Sequence, residues 1–235
     1  MLTATVRFFD RIRTRLIRAL VLYLARPANV LSTLAGSDLR ALSEVLDRGD
    51  ILLSAGNTRC ASLVKRITRS TWSHVSMYVG PLEEAADPLC IVEADIAGGV
   101  RSIRLSQLNA RRVCVLRPIQ LDVTERHRLA DSVVSRIGSE YDLRHALALA
   151  RNLLVRRWRA RLGSLPATMG KGATRFICSS LIAQAFAVVG HTILPPESPS
   201  GRAGAAHHAC LTPADFERVP LFEVVWRAST SDDAA

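Results

Sequence analysis

The 235-residue sequence lacks the features that mark several classes of protein. No run of 18 or more apolar residues occurs, which excludes a conventional transmembrane helix. No repeat or low-complexity tract is present, so solenoids and coiled coils are not expected. The five cysteines include no CxxC pair, which argues against a zinc ribbon or finger, and we predict neither a metal nor another cofactor. An odd, widely spaced set of cysteines is typical of a reducing compartment.

Aromatic residues and lysines are also scarce. Aromatics make up 5% of the chain, and only Lys65 and Lys171 are lysines among the 31 cationic residues. The strong arginine preference suits phosphate binding, but GC-rich codon usage explains it equally well. The hydrophobic content of 49% and the charged content of 22% are ordinary for a globular protein. The length suits one domain with extensions, or at most two small domains.

The positive charge is concentrated at the N-terminus. The formal net charge is +10, of which residues 1–26 supply +5 from six arginines and one aspartate. The other 209 residues hold 25 basic and 20 acidic groups, so the body is only mildly basic. A basic nucleic-acid-binding protein is one alternative that the pI near 10.4 suggests. The near balance of charge in the body and the few aromatics for base stacking disfavour it, so we predict no nucleic-acid partner.

Residues 1–26 have the pattern of an amphipathic helix, which ends before Pro27. A cleaved signal peptide is disfavoured, because charged residues precede a short apolar stretch at 19–25. Two interpretations remain: a helix lying on an anionic membrane, or a helix that packs on its own domain. Arg7, Arg11, Arg15 and Arg18 lie on the polar side of the helix, whereas Arg13 lies within the apolar side. The apolar side otherwise consists of Leu2, Val6, Phe9, Ile12, Leu16, Ile17, Leu20, Tyr23 and Leu24.

The pattern of the residues after the N-terminal segment predicts an α+β domain with an antiparallel sheet. Strands cluster in the first half and helices lie on either side of them. Helices are predicted at 38–47, with Asp38 as N-cap, and at 58–69, 123–137, 142–160, 177–189 and 213–218. Strands are predicted at 51–53, 74–79, 90–95, 100–103, 113–118 and 221–226.

Three residues carry candidate chemistry. Cys178 is in the first turn of a predicted helix, where free N–H groups and the helix dipole favour a thiolate and can stabilise an oxyanion. His74 begins a strand, opposite its apolar face. Glu93 lies between apolar neighbours in another strand, where a buried carboxylate needs a partner, and it can orient the imidazole if the two strands are adjacent. Each residue alone also has an ordinary structural explanation, as a core thiol, a structural histidine or an edge-strand carboxylate.

Taken together, several segments resemble a known family. They are GDILL, TRSTWSHVSMYVG, IVEAD, RIGSEYDL and FICSSLIAQAF, in that order. The chain resembles the circularly permuted papain-like hydrolases of the NlpC superfamily, and most closely the YiiX/YebB-like, or lipo-like, branch. In the unpermuted enzymes the tyrosine and cysteine motifs precede the histidine strand, whereas here they follow it. The resemblance spans about residues 47–226.

The resemblance implies a permuted papain-like fold in which the sheet packs against the helix carrying the cysteine. It also implies that Cys178 is the nucleophile, His74 the general base and Glu93 the orienting third residue. Ile177 replaces the aspartate that precedes the cysteine in the family, a position that is not itself catalytic. Residues expected to line the site or bind substrate are Tyr141, Trp72 and Ser179, although Trp72 can equally be a packing residue.

The expected function is that of a cysteine hydrolase or acyltransferase acting on an amide or ester bond of an acyl lipid or a cell-wall peptide. The alternatives are a membrane-associated ligand-binding module without catalysis and the nucleic-acid-binding protein above. We expect a cytoplasmic bacterial protein, peripheral on the inner face of the membrane if residues 1–26 bind lipid. The expected organisation is the N-terminal helix at 1–26, a linker with a short helix at 27–46, a catalytic domain at 47–226 and a disordered tail at 227–235.

Overall fold

The structure is a computed structural model of the chain, and it describes residues 15, 19–28, 34, 36–108, 110–142, 146, 175–193 and 211–229. Most of the predicted N-terminal helix therefore lies outside the described residues, although 19–25 are helical. The helix predicted at 142–160 and the loops expected at 163–174 and 195–210 lie almost wholly outside them.

A six-stranded antiparallel sheet is the centre of the fold, with strand order β4-β3-β2-β1-β5-β8. Each predicted strand is present, which confirms the α+β class. The observed bounds are longer than predicted at several ends, because pairing with a neighbour extends a strand beyond its most apolar residues. The strands are β1 (Ile51–Gly56), β2 (His74–Tyr78), β3 (Leu89–Asp95), β4 (Gly99–Arg104), β5 (Ala110–Pro118) and β8 (Phe222–Ser229).

The helices are placed as the sequence pattern predicts, with small shifts. Thr58 caps the second helix by accepting a hydrogen bond from Ala61 N at 3.0 Å. Asp38 lies inside the first turn of its helix and is not the N-cap, because the helix begins two residues earlier, at Gly36. The helices are α1 (Gly36–Val45), α2 (Arg59–Thr68), α3 (Val123–Val134), α4 (Cys178–Val188) and α5 (Pro213–Arg218).

Both faces of the sheet are covered, which explains the unbroken apolar run at the start of β1. One face packs against α3 and α4, with Leu53 and Met77 of the sheet in the same buried cluster as Phe186 of α4. The other face packs against α1 through Leu42 and Leu52, which are both fully buried. Because α4 lies against β2 and β3, its first residue is held close to those two strands.

The structure describes residues at two of the expected domain boundaries. The short helix expected within residues 27–46 is present as α1, which buries Leu42 against the sheet. β8 continues past the expected boundary at 226 to Ser229, which pairs with Arg112 of β5. Residues 230–235 lie outside the described residues.

A second, two-stranded sheet joins the late part of the chain to the early part. It consists of β6 (Glu140–Tyr141) and β7 (Arg175–Phe176), which are parallel. The residue before β6 is bound to the main sheet, because Val100 N donates to the carbonyl of Ser139 at 2.8 Å. β7 leads directly into α4, so this small sheet fixes the start of α4 near the start of β4.

Candidate active site

Cys178 is the first residue of α4, at the end of a helix that is anchored in the core. Ile177 precedes it in an extended conformation, and its N–H donates to Ser180 Oγ at 3.0 Å. The next residues of the helix, Leu181 and Ile182, are fully buried. The packing thus fixes the helix axis, and Cys178 is left partly buried at its N-terminal end. The backbone N–H groups of Val75 and Ser179 donate hydrogen bonds to its sulfur.

His74 is the first residue of β2, in register with Ser54 of β1. The residue before it is fixed as well, because Ser73 N donates to the carbonyl of Ser54 at 3.0 Å. The imidazole of His74 is hydrogen-bonded to the side chain of Cys178 and, on its Nε2 side, lies 3.0 Å from Glu93 Oε2. Since Nε2 is taken by the carboxylate, Nδ1 is the nitrogen left for the thiol.

Glu93 lies between two partners on neighbouring strands. Its side chain is only 11% exposed, and Oε2 faces His74. Oε1 accepts two hydrogen bonds from Arg101, from Nε at 3.1 Å and from Nη2 at 2.9 Å. Arg101 also lies 3.4 Å from Asp95 Oδ2. The edge-strand alternative for Glu93 is therefore wrong, because β4 covers β3 and the carboxylate is both buried and paired.

The charges of this cluster shift three pKa values. Burial alone raises the pKa of Glu93, but the hydrogen bonds and positive charges of His74 and Arg101 outweigh it and lower the pKa. Burial opposes the charged form of His74, yet hydrogen bonds to Cys178 and Glu93 raise its pKa well above 6.5. The Cys178 thiol is affected in the same way: burial raises its pKa, and the stronger combined effect of His74 and two backbone N–H groups lowers it. These directions favour a thiolate–imidazolium pair.

An open cleft of about 360 Å³ lies over Cys178, His74 and Glu93. Tyr141 and Ser179 line it, as expected from the sequence. Burial raises the pKa of the Tyr141 phenol well above 10, with nearby acidic groups and thiols adding to the shift, so it stays a neutral hydrogen-bond donor. Ser179 is buried and donates to the carbonyl of Leu211 at 2.6 Å, so its hydroxyl has a structural partner.

Trp72 is not among the residues that line this cleft. Its side chain is 4% exposed and belongs to the core, and its indole N–H donates to Glu217 Oε2 at 2.6 Å. The packing alternative for Trp72 is therefore the one that the structure supports. The position of Trp72 shortly before β2 did not determine where its ring points.

Two residues of the site were missed in the sequence. Arg101 was missed, although the turn at Gly98-Gly99 indicates its position. A turn there pairs Asp95 with Gly99, and the same strand register places Arg101 opposite Glu93. Cys60, in the first turn of α2, was not singled out in the sequence but lines the cleft. Burial, followed by the negative charges of Cys178 and Asp95, raises its pKa to about 11. Only the fold brings α2 to the cleft, so no local sequence signal identified Cys60.

The described residues provide no arrangement for metal binding or membrane spanning. No group of three or more histidine, cysteine, aspartate or glutamate side chains among them is arranged to hold a metal ion. Within the same residues, no helix has both the length and the apolar character needed to cross a bilayer.

Comparison with known proteins finds a matching family model and a related solved structure. Residues 45–151 match the model of the permuted papain-like amidases of the YaeF/YiiX type, the C92 family. His74, Glu93 and Tyr141 are within the matched residues, and Cys178 follows them. No curated protein matches the chain.

The fold is similar to the crystal structure of a protein described as metalloprotein yiiX from Escherichia coli O157:H7. The TM-score is 0.54 at 17% sequence identity, and the alignment covers 79% of this chain and 99% of that one. At this identity the similarity shows a shared fold. The family match and this shared fold support a YiiX-like protein of the permuted papain-like type, and the family match supports a papain-like cysteine hydrolase.

Proposed function

We propose that the protein cleaves an amide or ester bond through an acyl-enzyme formed on Cys178. The observation that carries the proposal is the continuous hydrogen-bonded series from Cys178 through His74 to Glu93. A nucleophile in contact with a base, and a base oriented by a carboxylate, are the parts that covalent acyl transfer requires.

In the proposed reaction, the Cys178 thiolate attacks the carbonyl carbon of the substrate. The tetrahedral intermediate places negative charge on the former carbonyl oxygen, which N–H groups of the first turn of α4 can stabilise. When the C–N or C–O bond breaks, the His74 imidazolium gives its proton to the leaving amine or alcohol. Neutral His74 then takes a proton from water, which attacks the thioester and releases the acid and the thiolate.

The lining of the cleft favours an apolar acyl group over a polar peptide. Among the described residues that line the cleft away from the catalytic residues, apolar side chains of α2, the β3–β4 hairpin and the segment after β4 form much of the wall, which suits an apolar acyl group. Asn57, Thr58 and Gln107 are polar side chains in the same lining. A long-chain acyl amide or ester is therefore the substrate class that we propose, with a cell-wall peptide as the alternative outcome. The apolar wall includes Val64, Ile67, Ile96, Ile103 and Leu108.

We also propose that the protein works at an anionic membrane surface. Ala25 is among the residues that line the cleft, and Leu22 and Tyr23 of the same segment are more than half exposed. The guanidinium of Arg59 lies 4.1 Å from the centre of the Tyr23 ring. Exposed apolar side chains beside arginines are suited to the headgroup region, from which an acyl chain could enter the cleft.

An acyl-trapping experiment tests the catalytic proposal. Wild-type protein is mixed with p-nitrophenyl esters of acetic, octanoic and palmitic acid, and release of p-nitrophenol is followed together with the intact mass. We expect a burst of product, an adduct of one acyl group on Cys178, and faster acylation by the longer chains. Cys178→Ala should lose burst and adduct, whereas Cys60→Ala, the matched control in the same cleft, should keep both.

Two results would contradict parts of this proposal. Equal acylation of Cys178→Ala and wild type would exclude Cys178 as the nucleophile. A burst that does not depend on the length of the acyl chain would support the acyl-enzyme but exclude the apolar substrate class. A series of peptide amides would then be tested in place of the esters.

A further inference from the structure

Arg101 occupies a fixed position behind the catalytic carboxylate. It lies on β4 directly opposite Glu93 of β3, and it is half exposed at the edge of the cleft. We propose that Arg101 is a positioning residue that acts on the reaction through Glu93 and His74. This inference rests on the proposed function, because it assigns Arg101 to the same proton-transfer series.

The geometry of the contact is the first argument. A carboxylate with only one partner can rotate about its last bond, which would move the oxygen that orients the imidazole. Arg101 prevents this rotation because Nε and Nη2 both donate to Oε1, at 3.1 and 2.9 Å. The planar guanidinium therefore fixes the carboxylate plane and leaves Oε2 directed at His74, 3.0 Å away.

Charge is the second argument. Cys178 of α4 and Glu93 of β3 both favour the imidazolium form of His74. Arg101 in turn helps Glu93 to stay ionised inside the protein, where an unpaired carboxylate is costly. Asp95, two residues along β3, is the other carboxylate that faces Arg101, at 3.4 Å. Among the described residues, Tyr141 of β6 and Cys60 of α2 are further titratable groups that interact with Cys178.

An ordinary structural ion pair would look similar, so the test needs a matched control. Arg104 is on the same strand and forms an ion pair of 2.7 Å with Glu83, but it is not among the residues lining the cleft. Arg104→Gln thus removes an arginine–glutamate pair from β4, together with the hydrogen bond from Arg104 to the carbonyl of Asp87, without touching Glu93. Arg101→Gln and Arg101→Lys are the test variants, and lysine keeps the charge but loses the planar pair of donors.

The measurements are kcat and KM with p-nitrophenyl octanoate across pH, and the pKa of His74 from NMR titration of its ring protons. At metal sites, removal of a comparable outer hydrogen-bond partner costs about 10–100-fold in activity. We expect Arg101→Gln to lower kcat by a similar factor with little change in KM. In Arg101→Lys, which keeps the positive charge but loses the paired donors, the pKa of His74 should fall because the carboxylate is less well oriented toward the imidazolium, so the alkaline limb should move to lower pH. Arg101→Gln also removes a positive charge near the ring, which acts on the pKa of His74 in the opposite direction, so kcat is its main readout. Arg101→Lys should recover part of kcat, and Arg104→Gln should match wild type.

The proposal is overturned if Arg101→Gln keeps the wild-type kcat, whatever its stability. If Arg101→Gln does not fold, Arg101→Lys provides the test. A wild-type kcat and a wild-type His74 titration in Arg101→Lys would show that the paired donors are not needed. The NMR titration separates this proposal from the catalytic one, because it reports on His74 even if no ester is turned over. A lowered His74 pKa in Arg101→Lys with no acylation in wild type would uphold the contact and remove the proposed reaction.

Discussion

His74 Nε2 and Glu93 Oε2 lie 3.0 Å apart on adjacent strands, although 19 residues separate them in the chain. The contact assigns one nitrogen of the imidazole to the carboxylate and leaves the other for the Cys178 thiol. It also places a negative charge beside the ring, which together with the thiol raises the pKa of His74 in spite of burial. The acid–base behaviour of the site follows from this arrangement and can be tested.

The pH dependence of kcat/KM should be bell-shaped. Activity requires the thiolate of Cys178 and the imidazolium of His74. As pH falls through the lowered pKa of Cys178 the thiolate is protonated, and as pH rises through the raised pKa of His74 the proton donor is lost. Steady-state rates with p-nitrophenyl octanoate between pH 4 and 10 measure both limbs. A rate that rises steadily up to pH 9 would mean that a free thiol with an ordinary pKa does the chemistry.

Iodoacetamide near pH 6 should modify Cys178 before any other described cysteine. Burial and nearby negative charges raise the pKa of Cys60 to about 11, so almost none of it is thiolate at pH 6. Peptide mass spectrometry after brief treatment gives the order of labelling, and loss of turnover should follow Cys178. Labelling of Cys60 at an equal rate would show that Cys178 is not activated.

Replacing the two partners of the thiol should slow this labelling to different degrees. His74→Ala removes the imidazolium, so the pKa of Cys178 should rise and labelling at pH 6 should slow strongly. Glu93→Gln keeps the ring but removes the charge that favours its protonated form, so the effect should be smaller and the alkaline limb of kcat/KM should move to lower pH. Labelling rates of both variants across pH check the order. A larger effect of Glu93→Gln would mean that Glu93 does more than orient the ring.

Two N-terminal deletions should separate membrane binding from support of the cleft. Removing residues 1–18 takes away most of the arginines of the segment, so binding to vesicles with anionic lipid should fall while turnover of p-nitrophenyl acetate persists. Removing residues 1–26 also takes away Ala25 and the carbonyl of Arg26, which accepts from Arg59 N at 3.0 Å, so KM should rise as well. Vesicle sedimentation and kinetics measure the two effects. If vesicle binding is unchanged in both deletions, residues 1–26 are excluded as the membrane-binding segment.

Gly99→Ala should destabilise the protein and loosen Tyr141. Gly99 has a φ of +69°, and a Cβ there would lie 2.4 Å from the Ser139 carbonyl oxygen. Strain of this kind costs about 1–3 kcal/mol, which should lower the midpoint of urea unfolding. Gly36→Ala is the control, since its Cβ would meet no described atom within 4 Å and its φ is not positive. Equal midpoints for the two variants would show that the segment before Tyr141 moves freely away from β4.

The local parts of this fold were predictable because local patterns determine them. The alternation of Val75 and Met77 with polar neighbours predicted β2, since strand periodicity depends only on nearby residues. The ends of β8 and α1 were predicted less well. Pairing with β5 extends β8 beyond its apolar residues, and α1 packs on the sheet.

Cys178, His74 and Glu93 were selected from the sequence by their local settings and by resemblance to a family, and the sequence by itself determined the elements that carry them. Only the tertiary structure decided their neighbours. Sheet order places Glu93 between His74 and Arg101, helix packing brings Cys60 to the same cleft as Cys178, and Trp72 turns into the core. The physical reason is that these contacts join residues far apart in the chain, and their geometry is set by strand register and by the packing of helices on a closed apolar core.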